Sequence, residues 1–210
     1  MHRAPVVSAQ PAPHGAARPT SMEDPRTEFL LEMYRQTSGH LNRHVLVLWQ
    51  SVALLGGAYA AFALQDKSVI SIHVATSVAL LLCGWFCANV YDSYAWFDRN
   101  LVIIANIERL FLNSEDTKLV HPYFPAHREA ADIVTHFRIQ LLLGLGVAAI
   151  VAIVHASNYA FPSLKIPNGV FSLEMSLPYL TAVASFVYCV FVRREVIEKA
   201  GKLRAKSPGI

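Results

Sequence analysis

Nine histidines are spread along this chain of 210 residues, and two of them, His40 and His44, stand four apart. On a helix that spacing puts both rings on one face, where they could share a metal ion. Asp92 and His136 are the candidates to complete such a set, provided the fold brings them to the same depth. Imidazole also titrates near neutrality, so the same group could answer to pH. Cys83 and Cys87 show the same spacing. They lie in an uncharged run, and small-residue packing is the expectation for them. The sequence has no Gly-rich phosphate loop, nucleophile motif or zinc signature. No catalytic residue is therefore assigned, and no cofactor is expected.

Composition decides which elements must position these residues. The chain is 54% hydrophobic and 16% charged, against roughly 25% charged in an ordinary soluble domain. Its apolar residues gather in four uncharged runs, bounded by Arg43 and Asp66, Lys67 and Asp92, Arg138 and Lys165, and Glu174 and Arg193. Each approaches the roughly 20 residues a helix needs to cross hydrocarbon. The expected spans are residues 44–65, 68–91, 139–160 and 175–192. Of the 18 Lys and Arg residues, 16 fall on the side of the termini and the middle connection, and 2 on the other. The positive-inside rule then expects both termini and the middle connection in the cytoplasm. Residues 1–21, rich in Ala and Pro, read as a disordered tail, and residues 22–210 as one membrane domain.

The stretch YDSYAWFDRNLVIIANIERLFL, residues 91–112, has no Pro or Gly to stop the second span. On a helical wheel Asp92, Asp98, Arg99, Asn106 and Arg109 share one arc. Trp96, Phe97, Leu101, Ile103, Ile104, Ile107 and Phe111 share the other. The wheel predicts an amphipathic helix outside the membrane, its charged arc in water. Counting it (residues 92–113), stems are expected at residues 22–43, 92–113, 126–138 and 193–206, the first opened by a capping box over residues 21–24. The expected fold class is all-α: four transmembrane helices whose cytoplasmic stems form a bundle. Small residues recur every four positions in the spans: Ala53, Gly57 and Ala61; Ala79, Cys83 and Cys87; Gly144, Ala148 and Ala152. They serve either packing within the bundle or contact between protomers.

Six polar side chains are expected to be buried in or near that bundle: His40, His44, Asn100, Glu108, His127 and His136. Counted by helical rise, His40, His44, Asp92 and His136 share a layer near the membrane edge, and Glu108 lies about 25 Å deeper. A buried carboxylate needs a partner, and His127 or His121 is expected to supply it. His73 and His155 fall toward the far ends of the second and third spans. The expectation for them is a place among lipid headgroups; pairing with each other or lining a wet cavity is the alternative.

The segments HLNRHVLVLWQSVALL and YDSYAWFDRNLVIIANIER resemble an uncharacterised family of small multipass bacterial inner-membrane proteins, and no activity comes with the resemblance. RQTSGH, residues 35–40, resembles the Arg-x4-His motif of HEPN-type ribonucleases, which implies RNA cleavage by Arg35 and His40. A membrane edge is an awkward site for a nuclease, and no nucleic-acid partner is expected. The expected function is an oligomeric membrane assembly protein, of a pore-forming or membrane-perturbing kind, gated through its stems. The alternatives are a scaffold that recruits a cytosolic protein and a membrane-bound enzyme built on metal or histidine. The expected partners are the lipid bilayer, further copies of the chain and a cytosolic protein. In intact cells, a membrane-impermeant thiol probe is expected to label Lys67→Cys and to miss Lys202→Cys; the opposite pattern would invert the topology.

Overall fold

The computed structural model describes residues 24–119, 135–164 and 172–206. Helix α1 (Pro25–Ser51) begins where Asp24 caps it: the carboxylate accepts from the Arg26 N–H at 3.2 Å, and Pro25 fills the first turn. Proline there forfeits no hydrogen bond and brings its φ preset for helix. The expected capping box headed by Ser21 gives way to this cap at Asp24; Ser21 itself lies outside the described residues. Val52 keeps helical backbone angles between α1 and α2 (Ala53–Asp66), so the two continue as one rod of 42 residues. A tight turn follows, with Ser68 at a positive φ of 57°. Ser71 then caps α3 (Ile72–Phe111), accepting from the Val74 N–H at 3.3 Å. Helix α3 runs 40 residues without a break. A single turn, α4 (Asp116–Leu119), comes next. Helix α5 (Thr135–His155) passes into a π segment (Ala156–Ala160) and the short α6 (Phe161–Leu164). Helix α7 (Leu173–Lys206) is one rod of 34 residues that continues from its apolar run through the basic stretch after Phe191.

Four helical stretches are long and apolar enough to cross a membrane: Pro25–Asp66, Ile72–Phe111, His136–Ser163 and Leu173–Leu203. No strand occurs among the described residues. The protein is an all-α, multipass membrane protein, as backbone chemistry requires of a chain this apolar: in hydrocarbon an N–H or C=O finds its partner only within the helix.

Helix α3 is the hub. The rod of α1 and α2, then α5, then α7 all pack chiefly against it and have little contact with one another. Accordingly, 56% of the most apolar stretch of α3 is buried, against 6% for α7. The core follows α3 out of the membrane: Phe86 and Val90 lead to Tyr94, Phe97, Leu101 and Ile104, joined by Leu41, Leu48, Phe137 and Val196 from the other helices.

This wrapping overturns one expectation. Asp98, placed on the water-facing arc by the wheel, is 1% exposed. The stem of α7 continues down α3 beside that arc, and Asp98 lines a cleft between them with Arg99 and Lys199, while Asp92, Arg99 and Arg109 stay exposed. Trp96, placed on the buried arc, is instead 45% exposed. A wheel allows for one buried side, whereas α3 has neighbours on several.

Within the membrane the fit is made by small residues. A Cβ built on Gly84 would sit 2.4 Å from Ser185 Cβ, and one on Gly144 would sit 2.8 Å from Cys87 Sγ. The Cys189 thiol also donates to the Gly84 carbonyl at 3.3 Å. Gly144 and the buried Ala79, Cys83 and Cys87 therefore serve packing inside the chain. In lipid such close fit, rather than escape from water, holds helices together. Gly84→Ala is expected to lower stability by about 1–3 kcal/mol through overpacking. Adding Ser185→Gly to it should restore most of the loss in a thermal melt of the detergent-solubilised protein.

Candidate functional site

Polar chemistry gathers at two levels. At the stem level, the His44 ring stacks on Trp96 with centroids 5.9 Å apart and planes 15° apart. The Arg99 guanidinium lies 5.2 Å from the centre of the same indole, a favourable cation–π arrangement. His44 is half-buried, whereas His40 and Asp92 are exposed. His136 belongs to a different face: it lies 5.9 Å from the Phe97 ring and 4.2 Å from Phe137. Phe97 is one residue beyond Trp96 and so about 100° further round α3. The expected set of His40, His44, Asp92 and His136 is thus divided between two faces of the hub. Among the described residues no three His, Cys, Asp or Glu side chains come together to hold a metal. Arg35 is exposed, as is His40.

Deeper in the stems, Asn100 is buried and Glu108 half-buried. The Tyr34 hydroxyl donates to Glu108 Oε1 at 3.2 Å. The expected partners of Glu108, His121 and His127, lie outside the described residues. On the exposed end of α7, the hydrogen bond from Lys202 holds the Glu198 carboxyl below its ordinary value, and the bond to Glu195 raises the Lys199 ammonium. Such surface ladders contribute little to stability.

At the far end of the spans the arrangement is tighter. His73 Nδ1 and His155 Nε2 are 2.8 Å apart, and His155 Nδ1 lies 2.9 Å from the Tyr179 hydroxyl. One chain of two hydrogen bonds thereby ties α3 to α5 and α5 to α7. Tyr159 closes the group, its ring 5.6 Å from His73 and 5.3 Å from His155. His155 is 2% exposed. This corrects the expectation that His73 and His155 face headgroups: they face each other. A π segment (Ala156–Ala160) follows directly on His155 and carries Tyr159; such segments recur at functional sites. Sequence reasoning missed Tyr159 and Tyr179. The available signal was depth, since His73 and Tyr179 stand within two turns of the bounding charges Lys67 and Glu174.

Gln140, between the two levels, is also notable. It is 2% exposed, yet neither atom of its amide has a hydrogen-bond partner among the described residues. One turn earlier, His136 Nε2 is likewise buried without a partner among them. A buried polar atom left this way costs about 1–3 kcal/mol, and an apolar group of the same shape avoids that cost. Gln140→Met is therefore expected to raise the melting temperature, by an amount equivalent to about 1–3 kcal/mol. A clear fall would mean that the amide makes a stabilising contact in the membrane.

Comparison with known proteins adds little chemistry. No protein-family model matches the chain, and no solved structure matches it. An uncharacterised protein of the archaeon Methanocaldococcus jannaschii is 20% identical over 176 residues, an alignment covering 75% of this chain and 48% of that one. The chain thus spans about half the length of the curated relative it matches. The likeness is to a protein with no stated activity.

Proposed function

We propose that the chain is one subunit of an oligomeric assembly in a bacterial inner membrane, with its stems and termini in the cytoplasm. The observation that carries this is at the free end of the stems. Phe29 is 67% exposed, Leu110 57% and Phe111 42%. Phe111 lies about 30 Å along α3 from Tyr91, far past the end of the uncharged run. The antiparallel register that pairs His44 with Trp96 and Tyr34 with Glu108 brings Phe29 level with Phe111. A shared apolar tip in water asks for cover by another protein surface. A second copy of the chain offers the same tip and can bury it symmetrically. The excess of Lys and Arg on the stem side supports the orientation.

Helix α3 fills the axis of the bundle, so a passage for ions belongs between subunits rather than within one. In this reading the continuous rods α3 and α7 carry movement of the stems into the spans, and the assembly works as a pore or membrane-perturbing effector. The same apolar tip favours a second reading, a membrane scaffold whose tip docks a soluble protein.

Imaging or native mass spectrometry of the full chain in mild detergent tests the proposal. A discrete oligomer is expected, and Phe29→Asp with Phe111→Asp should dissociate it into monomers that keep the helical circular dichroism of the parent chain. A monomer that holds a soluble protein through the tip would favour the scaffold. A monomer with neither would sink both readings. Ion leakage from reconstituted vesicles is required of the pore form.

A further inference from the structure

We infer that His73, His155 and Tyr179 form a proton-binding clasp, a site that holds one proton between two imidazoles and opens when a second arrives. It stands on the geometry at the far end of the spans and is independent of the assembly proposed above.

The bonding pattern carries the argument. When both imidazoles are neutral, the chain can be satisfied in two ways. In one, Tyr179 O–H donates to His155 Nδ1, and His155 Nε2–H donates to His73 Nδ1. In the other, His73 Nδ1–H donates to His155 Nε2, and His155 Nδ1–H donates to the Tyr179 oxygen. The 2.8 and 2.9 Å separations fit either. One added proton makes His155 an imidazolium that donates from both nitrogens, to His73 Nδ1 and to the Tyr179 oxygen. The Tyr179 hydrogen turns aside, one positive charge is gained, and both hydrogen bonds remain, now charge-assisted. A second proton has only His73 Nδ1 to occupy within the chain. It would set two N–H groups head to head across 2.8 Å, so the bond between α3 and α5 breaks.

The surroundings leave this chemistry to the clasp itself. Helix α3 contributes His73, and the Ser77 hydroxyl donates to the His73 carbonyl at 2.7 Å rather than to a ring. The π segment contributes Tyr159, and α7 contributes Tyr179. Where α2 meets this end it brings Phe62 to an apolar cleft beside His155 and Tyr159. The nearby charged residues in the described chain, Asp66, Lys67 and Glu174, are exposed. No carboxylate is thus placed to neutralise a doubly charged pair, and two imidazoliums this close oppose each other strongly. Opening matters because α5 is poorly satisfied further along, where the Gln140 amide is buried without a described partner. Breaking the bond removes the polar tie between α3 and α5 at this end and leaves the fit at Gly144 to hold them.

The test follows ring-nitrogen NMR shifts of the full chain, labelled with 15N-histidine, in lipid nanodiscs from about pH 8 to about pH 4. His73→Gln and His155→Gln assign the resonances. The first proton is expected to appear in the shifts of both rings, and the second to bind roughly ten-fold or more weakly, as for any strongly interacting pair. Two independent single-step titrations would overturn the proposal. Tyr179→Phe is a second probe that leaves both histidines in place. It removes the acceptor for the imidazolium, so the first proton should bind several-fold more weakly; an unchanged first step would also overturn the proposal.

Discussion

Helix Ile72–Phe111 has to be the core of the molecule in two solvents. In hydrocarbon, escape from water contributes nothing between helices, so contact depends on fit. There α3 offers Gly84 to Ser185, while Phe86 and Cys87 close on Gly144. In the stems, burial of apolar area drives association, and α3 offers Phe97, Leu101 and Ile104 instead. The change from small residues to large ones along a single unbroken helix is what lets one scaffold serve both media. The other helices take their positions from it.

Polar groups are distributed to suit that scheme. They form bonds at the two ends, Tyr34 with Glu108 in the stems and His73 with His155 and Tyr179 at the far side. Among the spans, the cleft between α3, α5 and α7 is apolar apart from thiols and a hydroxyl, those of Cys83, Cys87, Cys189 and Ser185. End bonds of this kind fix register and rotation without placing a charged side chain in the uncharged runs. Gln140 stands out: its buried amide has no hydrogen-bond partner among the described residues.

Much of the architecture was legible because charge is so costly in hydrocarbon. The four uncharged runs correspond to four helices able to cross, and the absence of Pro and Gly after Tyr91 foretold that α3 would run on. What failed was azimuth. Depth along a helix follows from counting residues, but the side on which a residue meets its neighbours depends on how many neighbours there are. Asp98 was misplaced because the stem of α7 lies against the arc that one apolar stripe would leave wet. His136 was assigned to the layer of His44 by depth, although it sits on Phe97 and His44 sits on Trp96. The meeting of His73 with His155 depended on which sides of α3 and α5 face each other, which no local composition signals. Tyr179 was masked by the ordinary habit of tyrosines to lie near membrane surfaces.

The scarcity of contact among the outer helices has a consequence for how the protein tolerates change. Energetic effects of substitutions combine simply when the sites share no partner, and depart from simple addition when they do. A substitution on the lipid-facing side of α7 and one on α2 have no common neighbour except through α3. Their costs should accumulate independently, so each outer helix can drift in sequence on its own. Helix α3 has no such liberty. Three interfaces constrain it together, and its sequence should diverge most slowly of the four.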